Sequence, residues 1–243
     1  MSIINSFILT SLSGIATMIG YLVIFLPYKY KNKIIISSLS FAAGVMLIVS
    51  FLDLIPESFI LIKGDIIIKV LLIIVFIIVG LIISSYLDKT IPNNNYLYKV
   101  GLVSLFSIIL HNIPEGMITF ISSTNNVSLG LKISLAITLH NIPEGISIAV
   151  PLYYATKDKY KVFNLLLLSA LSEPIGALLA LILRPVINSS ILGFIYAFIA
   201  GLMFYIALYE LLPASIKYKR YLYTIFSFCI GVLIMILSNI LIK

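Results

Sequence analysis

Apolar residues in this chain come in long unbroken runs separated by short polar stretches. Runs near residues 3–26, 34–57, 66–86, 97–121, 129–154, 161–183, 190–213 and 221–242 each hold about the 20 residues needed to cross a hydrocarbon core. A membrane β-barrel would show alternating segments of about 10 residues instead. The pattern predicts an all-α integral membrane protein, with residues 1–243 forming one polytopic domain of eight transmembrane helices. No linker, low-complexity tract or soluble domain interrupts it.

Composition sharpens this. Hydrophobic residues make up 61% of the chain and charged residues 10%, with a mean hydropathy of +1.18. That leaves too little polar surface to wet a soluble domain. The net charge of +7 would suit a nucleic-acid binder until the charges are placed. Eight spans put loops 27–33, 87–99, 155–161 and 214–220 on one side. These loops carry Lys29, Lys31, Lys33, Lys89, Lys99, Lys157, Lys159, Lys161, Lys217, Lys219 and Arg220, eleven of the sixteen basic residues. Lys63, Lys69, Lys132, Arg184 and Lys243 fall on the other side. The positive-inside rule then predicts cytoplasmic basic loops and extracellular termini for a multi-pass protein of the cell membrane. The charge is a topology signal, and no nucleic acid is expected. The single Cys229 excludes an internal disulfide. The first run lacks the basic start of a cleavable signal and is expected to be retained.

Two repeats lie inside this pattern. Residues 43–58 read AGVMLIVSFLDLIPES and residues 200–215 read AGLMFYIALYELLPAS. Ala, Gly, Met, Leu, Pro and Ser match in register, and Asp53 falls opposite Glu210. The two stretches belong to helices two and seven, which run in opposite directions. The expectation is an inverted repeat, three helices on either side of a central pair, as transporters commonly show. The second repeat is the hexapeptide HNIPEG, at 111–116 in helix four and 140–145 in helix five. It contains both histidines of the chain.

Positions i and i+4 share a helix face. His111 points with Glu115, therefore, and His140 with Glu144, both pairs near the bilayer centre. Two imidazoles and two carboxylates form an N/O set suited to Zn²⁺ or a similar divalent ion. Pro114 and Pro143 remove backbone donors and free the carbonyls of Leu110 and Leu139. Gly116 and Gly145 permit close helix approach. Asn112 and Asn141 add amide oxygens. Glu173, in the stretch LSEPIGA of helix six, brings a third carboxylate to the same depth, where an unpartnered charge is costly. A bound cation would relieve the repulsion.

Blander readings stand beside these. One intramembrane His–Glu pair can simply hold helices together. Met46 reads as core packing or as a soft ligand. Asp53, Glu57 and Glu210 lie near helix ends, where capping or hydration accounts for many acids. Asp65, Asp88 and Asp158 read as loop charges.

The two HNIPEG segments, EPIGA of helix six and GVMLIVSFLDLIPES of helix two resemble the ZIP family of divalent-metal transporters, most nearly its bacterial and archaeal zinc-uptake branch. The likeness covers essentially the whole chain. It implies a 3+2+3 helix bundle with an inverted repeat. It also implies a transport site of His111, Glu115, His140 and Glu144. A second site would use Asn112, Asn141 and Glu173, with Glu115 and Glu144 bridging both metals. Met46 matches a position that serves the first site in some relatives. Some members carry Asp where this chain has Asn141, which bears on the second site's charge. Many eukaryotic members have a His-rich loop between helices three and four, but residues 87–99 here contain no His.

The expected function is uptake of divalent cations into the cytoplasm, Zn²⁺ first, with Fe²⁺, Mn²⁺, Co²⁺ and Cd²⁺ as further cargo. The metal is a bound substrate; no prosthetic group is expected. Asp53 and Glu210 are assigned to opposite mouths of the pathway. Expected partners are the metal ions, the bilayer and, as one option for assembly, a second copy in a homodimer. No Walker motif is present, so a gradient, the membrane potential or a coupled ion must drive transport. The chief rival is an intramembrane zinc hydrolase, but HExxH enzymes keep a Glu beside the first His where both repeats here have Asn. A cation-coupled carrier of an organic solute leaves the matched His–Glu pairs unexplained.

Overall fold

In the computed structural model, residues 2–92, 95–183 and 185–242 are described, which leaves Arg184 and Lys243 of the charge count outside them. Among the described residues eight helices are long and apolar enough to cross a membrane. They are α1 (Ile3–Phe25), α2 (Tyr28–Leu61), α3 (Ile66–Thr90), α4 (Tyr96–Asn125), α5 (Val127–Thr156), α6 (Lys159–Leu183), α7 (Ser189–Ile216) and α8 (Tyr221–Ile242). Helices satisfy their own backbone groups, which the hydrocarbon interior requires. Polar side chains set several boundaries. Asn95, Asn126, Asp158 and Asn188 each accept a hydrogen bond from a backbone N–H three residues on and so cap α4, α5, α6 and α7.

Several helices outrun the hydropathy pattern, α2, α3 and α4 most clearly. The expected end of helix four near 121 moves to Asn125, because Ser123 and Thr124 bond back to the carbonyls of Thr119 and Ile121 and leave the helix intact. The expected start of helix two near 34 moves back to Tyr28, through a 3₁₀ turn over Tyr28–Tyr30. Only Asn126 separates α4 from α5, so the pair forms a tight antiparallel hairpin. α2 is the most enclosed helix, with 72% of its most apolar stretch buried, against 11% for α3 and 17% for α8 at the periphery of the bundle.

The packing has an internal two-fold order. Exchanging α1 with α6, α2 with α7, α3 with α8 and α4 with α5 maps the close contacts onto one another. Gly44 of α2 and Gly231 of α8 lie against the Phe228 and Phe41 carbonyls. Their counterparts, Gly201 of α7 and Gly80 of α3, lie against those of Ile77 and Phe198. A Cβ at any of the four would stand 2.2 to 2.4 Å from a backbone oxygen, so only glycine allows this approach.

Local irregularities obey the same exchange. α2 widens to a π turn over Ser50–Leu54 and α7 over Ile206–Leu211. The N–H groups of Ile55 and Leu212 reach back five residues, to Ser50 and Ala207, directly before Pro56 and Pro213. Proline clashes with the carbonyl four residues earlier, and the wider turn accommodates it. Likewise α1 passes from α to 3₁₀ geometry at Ala16, while α6 is interrupted at Leu171 and resumes at Ser172. The inverted repeat expected from 43–58 and 200–215 is thus present in packing and in backbone geometry.

Candidate metal centre

His111 stands at the middle of the 30 residues of α4, and His140 near the middle of the 30 of α5. At 1.5 Å per residue both lie roughly 20 Å from the hairpin turn. The longer helices place them deeper than hydropathy alone suggests. His111, Asn112, Glu115, His140, Asn141, Glu144 and Glu173 are all buried, none more than 5% exposed.

The pairing runs between helices. His111 Nε2 lies 3.0 Å from Glu144 Oε1, and His140 Nε2 lies 3.5 Å from Glu115 Oε2. Each imidazole meets the other repeat's carboxylate, a consequence of two copies of one motif crossing antiparallel. The side chains meet as two pairs: among the described residues, no group of three or more His, Cys, Asp or Glu is arranged to hold one metal ion.

Asn112 and Asn141 are tethered in parallel ways. Asn112 Nδ2 donates to the Ser169 carbonyl of α6 at 3.5 Å, and Asn141 Nδ2 to the Ser13 carbonyl of α1 at 2.8 Å. Asn141 also donates to Glu173, whose second oxygen accepts from the Ser13 hydroxyl at 2.5 Å. Gly116 brings α6 into place, since a Cβ there would lie 2.1 Å from the Glu173 carbonyl oxygen. Gly145 does the same for α1, at 1.9 Å from the Thr17 carbonyl oxygen. Thr17 is therefore the counterpart of Glu173. The sequence shows it once aligned: 13–20 reads SGIATMIG and 169–176 reads SALSEPIG. Ser13 and Thr17 escaped the sequence reading because this match is short and conservative only in residue size.

Lone pairs are left over at the centre. Among the described residues, Asn112 Oδ1, Asn141 Oδ1, Glu144 Oε2, Glu115 Oε1 and His111 Nδ1 are buried without a hydrogen-bond partner, and Glu115 Oε2 and His140 Nε2 have only their 3.5 Å approach to each other. Buried acceptors left open are costly. Such a set of N and O donors, gathered at one depth, suits a divalent cation. Met46 is fully buried in the apolar core one turn before the π turn of α2.

A cavity of about 360 Å³ runs from the end of the bundle that carries both termini down to Glu115 and His140. Asp53, Glu57, Lys132, Tyr196 and Asn239 line it; His111 and Glu144 do not. Asp53 accepts a hydrogen bond from Asn239 of α8. At the opposite end, Glu210 is buried and faces Asp88 of α3. Asp88 pairs with Lys99 at 2.7 Å and accepts from the Tyr205 hydroxyl at 3.2 Å. Asp88 thus corrects the reading of a loop charge, because α3 continues past it to Thr90. The two-fold order relates Asp53 with Asn239 to Glu210 with Asp88, since Asn239 and Asp88 each stand eight residues beyond the packing glycine of their helix.

Comparison with known proteins agrees with this architecture. Residues 93–239 match the family described as ZIP Zinc transporter. A protein named zinc transporter ZupT from Streptococcus mutans is 37% identical, the alignment covering 98% of this chain and 97% of that one. Proteins of the same name from Chlorobium chlorochromatii and Clostridium perfringens are 35% and 34% identical, over 99% of this chain and 98% and 96% of theirs. With eight bilayer-length helices and matches along nearly its whole length, the chain belongs to the ZIP zinc transporter family.

Proposed function

We propose that this protein carries Zn²⁺ into the cytoplasm through the paired His–Glu centre of α4 and α5. The observation that carries the reading is the placement of His111, Glu115, His140 and Glu144. They form a buried, cross-paired quartet at mid-helix, with a cavity from one end stopping at Glu115 and His140. A cavity that reaches the centre from one end is the geometry of a carrier open to one side. A cation arriving through the cavity meets the looser pair first. Binding draws the imidazoles off their carboxylates and turns lone pairs of both helices toward one ion.

Asp53 marks the outer mouth, and Glu210 with Asp88 the inner one. Extracellular termini and cytoplasmic basic loops follow from the charge distribution. Asn112, Asn141 and Glu173 form an adjacent site, bridged by Glu115 and Glu144. Asn141 in place of an acid lowers the charge there, so this site tunes transport. Met46 supplies a soft contact to the first site. Fe²⁺, Mn²⁺, Co²⁺ and Cd²⁺ are further cargo that an N/O/S donor set accepts. Membership in a transporter family sets aside the intramembrane hydrolase, which also lacks a free base beside either histidine.

The test is zinc entry into liposomes bearing the purified protein and loaded with a zinc-sensitive dye. His140→Ala and Glu144→Ala should each cut uptake by about 10-fold or more, a loss no smaller than that for disturbing an outer partner of a metal ligand. Near-normal uptake by a stably folded Glu144→Ala overturns the site. No metal movement by the wild type overturns the function.

A further inference from the structure

Far from the metal centre, Lys29, Tyr30, Lys31, Asn32, Lys33 and Arg220 surround a cavity of about 240 Å³. It lies where α2 and α8 begin, on the face of the bundle that carries the basic loops. Four of its six lining residues are cationic and none is acidic. Aromatic rings hold some of these lysines. Lys29 Nζ stands 4.9 Å from the centre of the Tyr30 ring, and Lys33 Nζ 5.4 Å from that of Tyr223. Such contacts orient an ammonium group without neutralising it.

Directly beside this cavity, α8 turns an apolar stripe outward. Leu222, Phe226, Cys229 and Leu233 fall along one side of the helix, all exposed and spaced at helical intervals. Tyr28, Tyr30 and Tyr221 ring the boundary, also exposed, as aromatic residues do at the headgroup level. A cationic, acid-free pocket continuous with a lipid-facing stripe matches one kind of molecule at both ends. We infer that the pocket of Lys29, Lys31, Lys33 and Arg220 binds the phosphate headgroup of an anionic phospholipid, whose acyl chains lie along α8. This holds whichever way metal moves.

Plain attraction between a basic protein face and an anionic bilayer spreads over every exposed lysine. A built pocket concentrates it, and the experiment separates the two. The protein in phosphatidylcholine micelles or discs is given a minor fraction of phosphatidylglycerol, and bound lipid is counted by native mass spectrometry. The wild type should retain phosphatidylglycerol in preference to phosphatidylcholine. Lys33→Gln with Arg220→Gln should weaken that retention by about five-fold per charge removed. Lys89→Gln with Lys159→Gln, the same charge change on the same face outside the pocket, should leave it unchanged. Melting temperatures confirm that both double variants fold. Equal loss in the two double variants overturns the pocket in favour of diffuse attraction. Unchanged retention in Lys33→Gln/Arg220→Gln overturns it outright. Displacement of the lipid by inorganic phosphate alone overturns the lipid assignment in favour of a soluble anion.

Discussion

Gly145 offers a severe test of how the centre is held. A methyl group there would stand 1.9 Å from the Thr17 carbonyl oxygen, whereas ordinary contact begins near 3.4 Å. The obstacle is backbone and cannot swing aside, so Gly145→Ala must drive α1 from α5 by roughly 1.5 Å. Overpacking of this kind costs about 3 kcal/mol, the upper end of the usual range. At about 2–4 °C per kcal/mol for a chain of this size, the melting temperature should fall by roughly 6–12 °C. The displaced helix carries Ser13, which bonds both Asn141 and Glu173, so zinc affinity should fall by about 10-fold or more. Gly80→Ala is the control. Its Cβ would lie 2.3 Å from the Phe198 carbonyl oxygen, a backbone clash of the same kind, somewhat milder, at the α3–α7 contact. It should melt early yet bind zinc as the wild type does. Calorimetry gives melting in detergent and a competing chelator gives affinity. Wild-type affinity in Gly145→Ala, or an equal loss in Gly80→Ala, would refute the idea that α1 positions the centre.

Further expectations concern charge. Glu173→Gln preserves shape, because the Ser13 hydroxyl can turn and accept from the new amide; uptake should slow or change its metal order, and complete loss of zinc binding would show that the two sites are ranked wrongly. Asp53→Asn should weaken uptake at low external metal and recover at high metal, while Glu210→Gln should slow release in a way external metal does not rescue; identical kinetic defects in both would contradict their assignment to opposite mouths. Cysteines introduced singly at 53 and 210 should react with an impermeant reagent from opposite sides of the membrane, and labelling of both from one side would defeat the topology.

Much of this molecule could be read from its residues, and the gaps have physical causes. The 43–58 and 200–215 match carried the repeat because Pro56 and Pro213, with an acid three residues earlier in each, leave a trace that apolar drift does not erase. It did not reveal the π turns, since one extra residue in a turn changes no composition. Hydropathy ended helix four too early because it counts serine and threonine as polar, although in a helix their hydroxyls fold back on the backbone. The HNIPEG pairs announced the donor set but not its partners. Spacing of i and i+4 shows what one helix presents, and only the crossing of two helices decides that His111 meets Glu144. Asp88 was missed for a related reason: nothing local to it signals Glu210, over a hundred residues away.

A body built of two near-copies related by a two-fold axis has, to the extent the copies agree, no front or back. Whatever lets it tell one compartment from the other must reside where the copies differ. Among the polar differences close to the route are Thr17 against Glu173, Asp53 against Glu210, Glu57 against Ala214, Asn239 against Asp88 and Ser50 against Ala207. Polarity in this molecule is therefore a property of where its sequence breaks the symmetry, in the basic loops of one face and at these positions near the route, and not of its architecture. Exchanging the members of those pairs is the natural way to ask which of them gives it a preferred resting orientation.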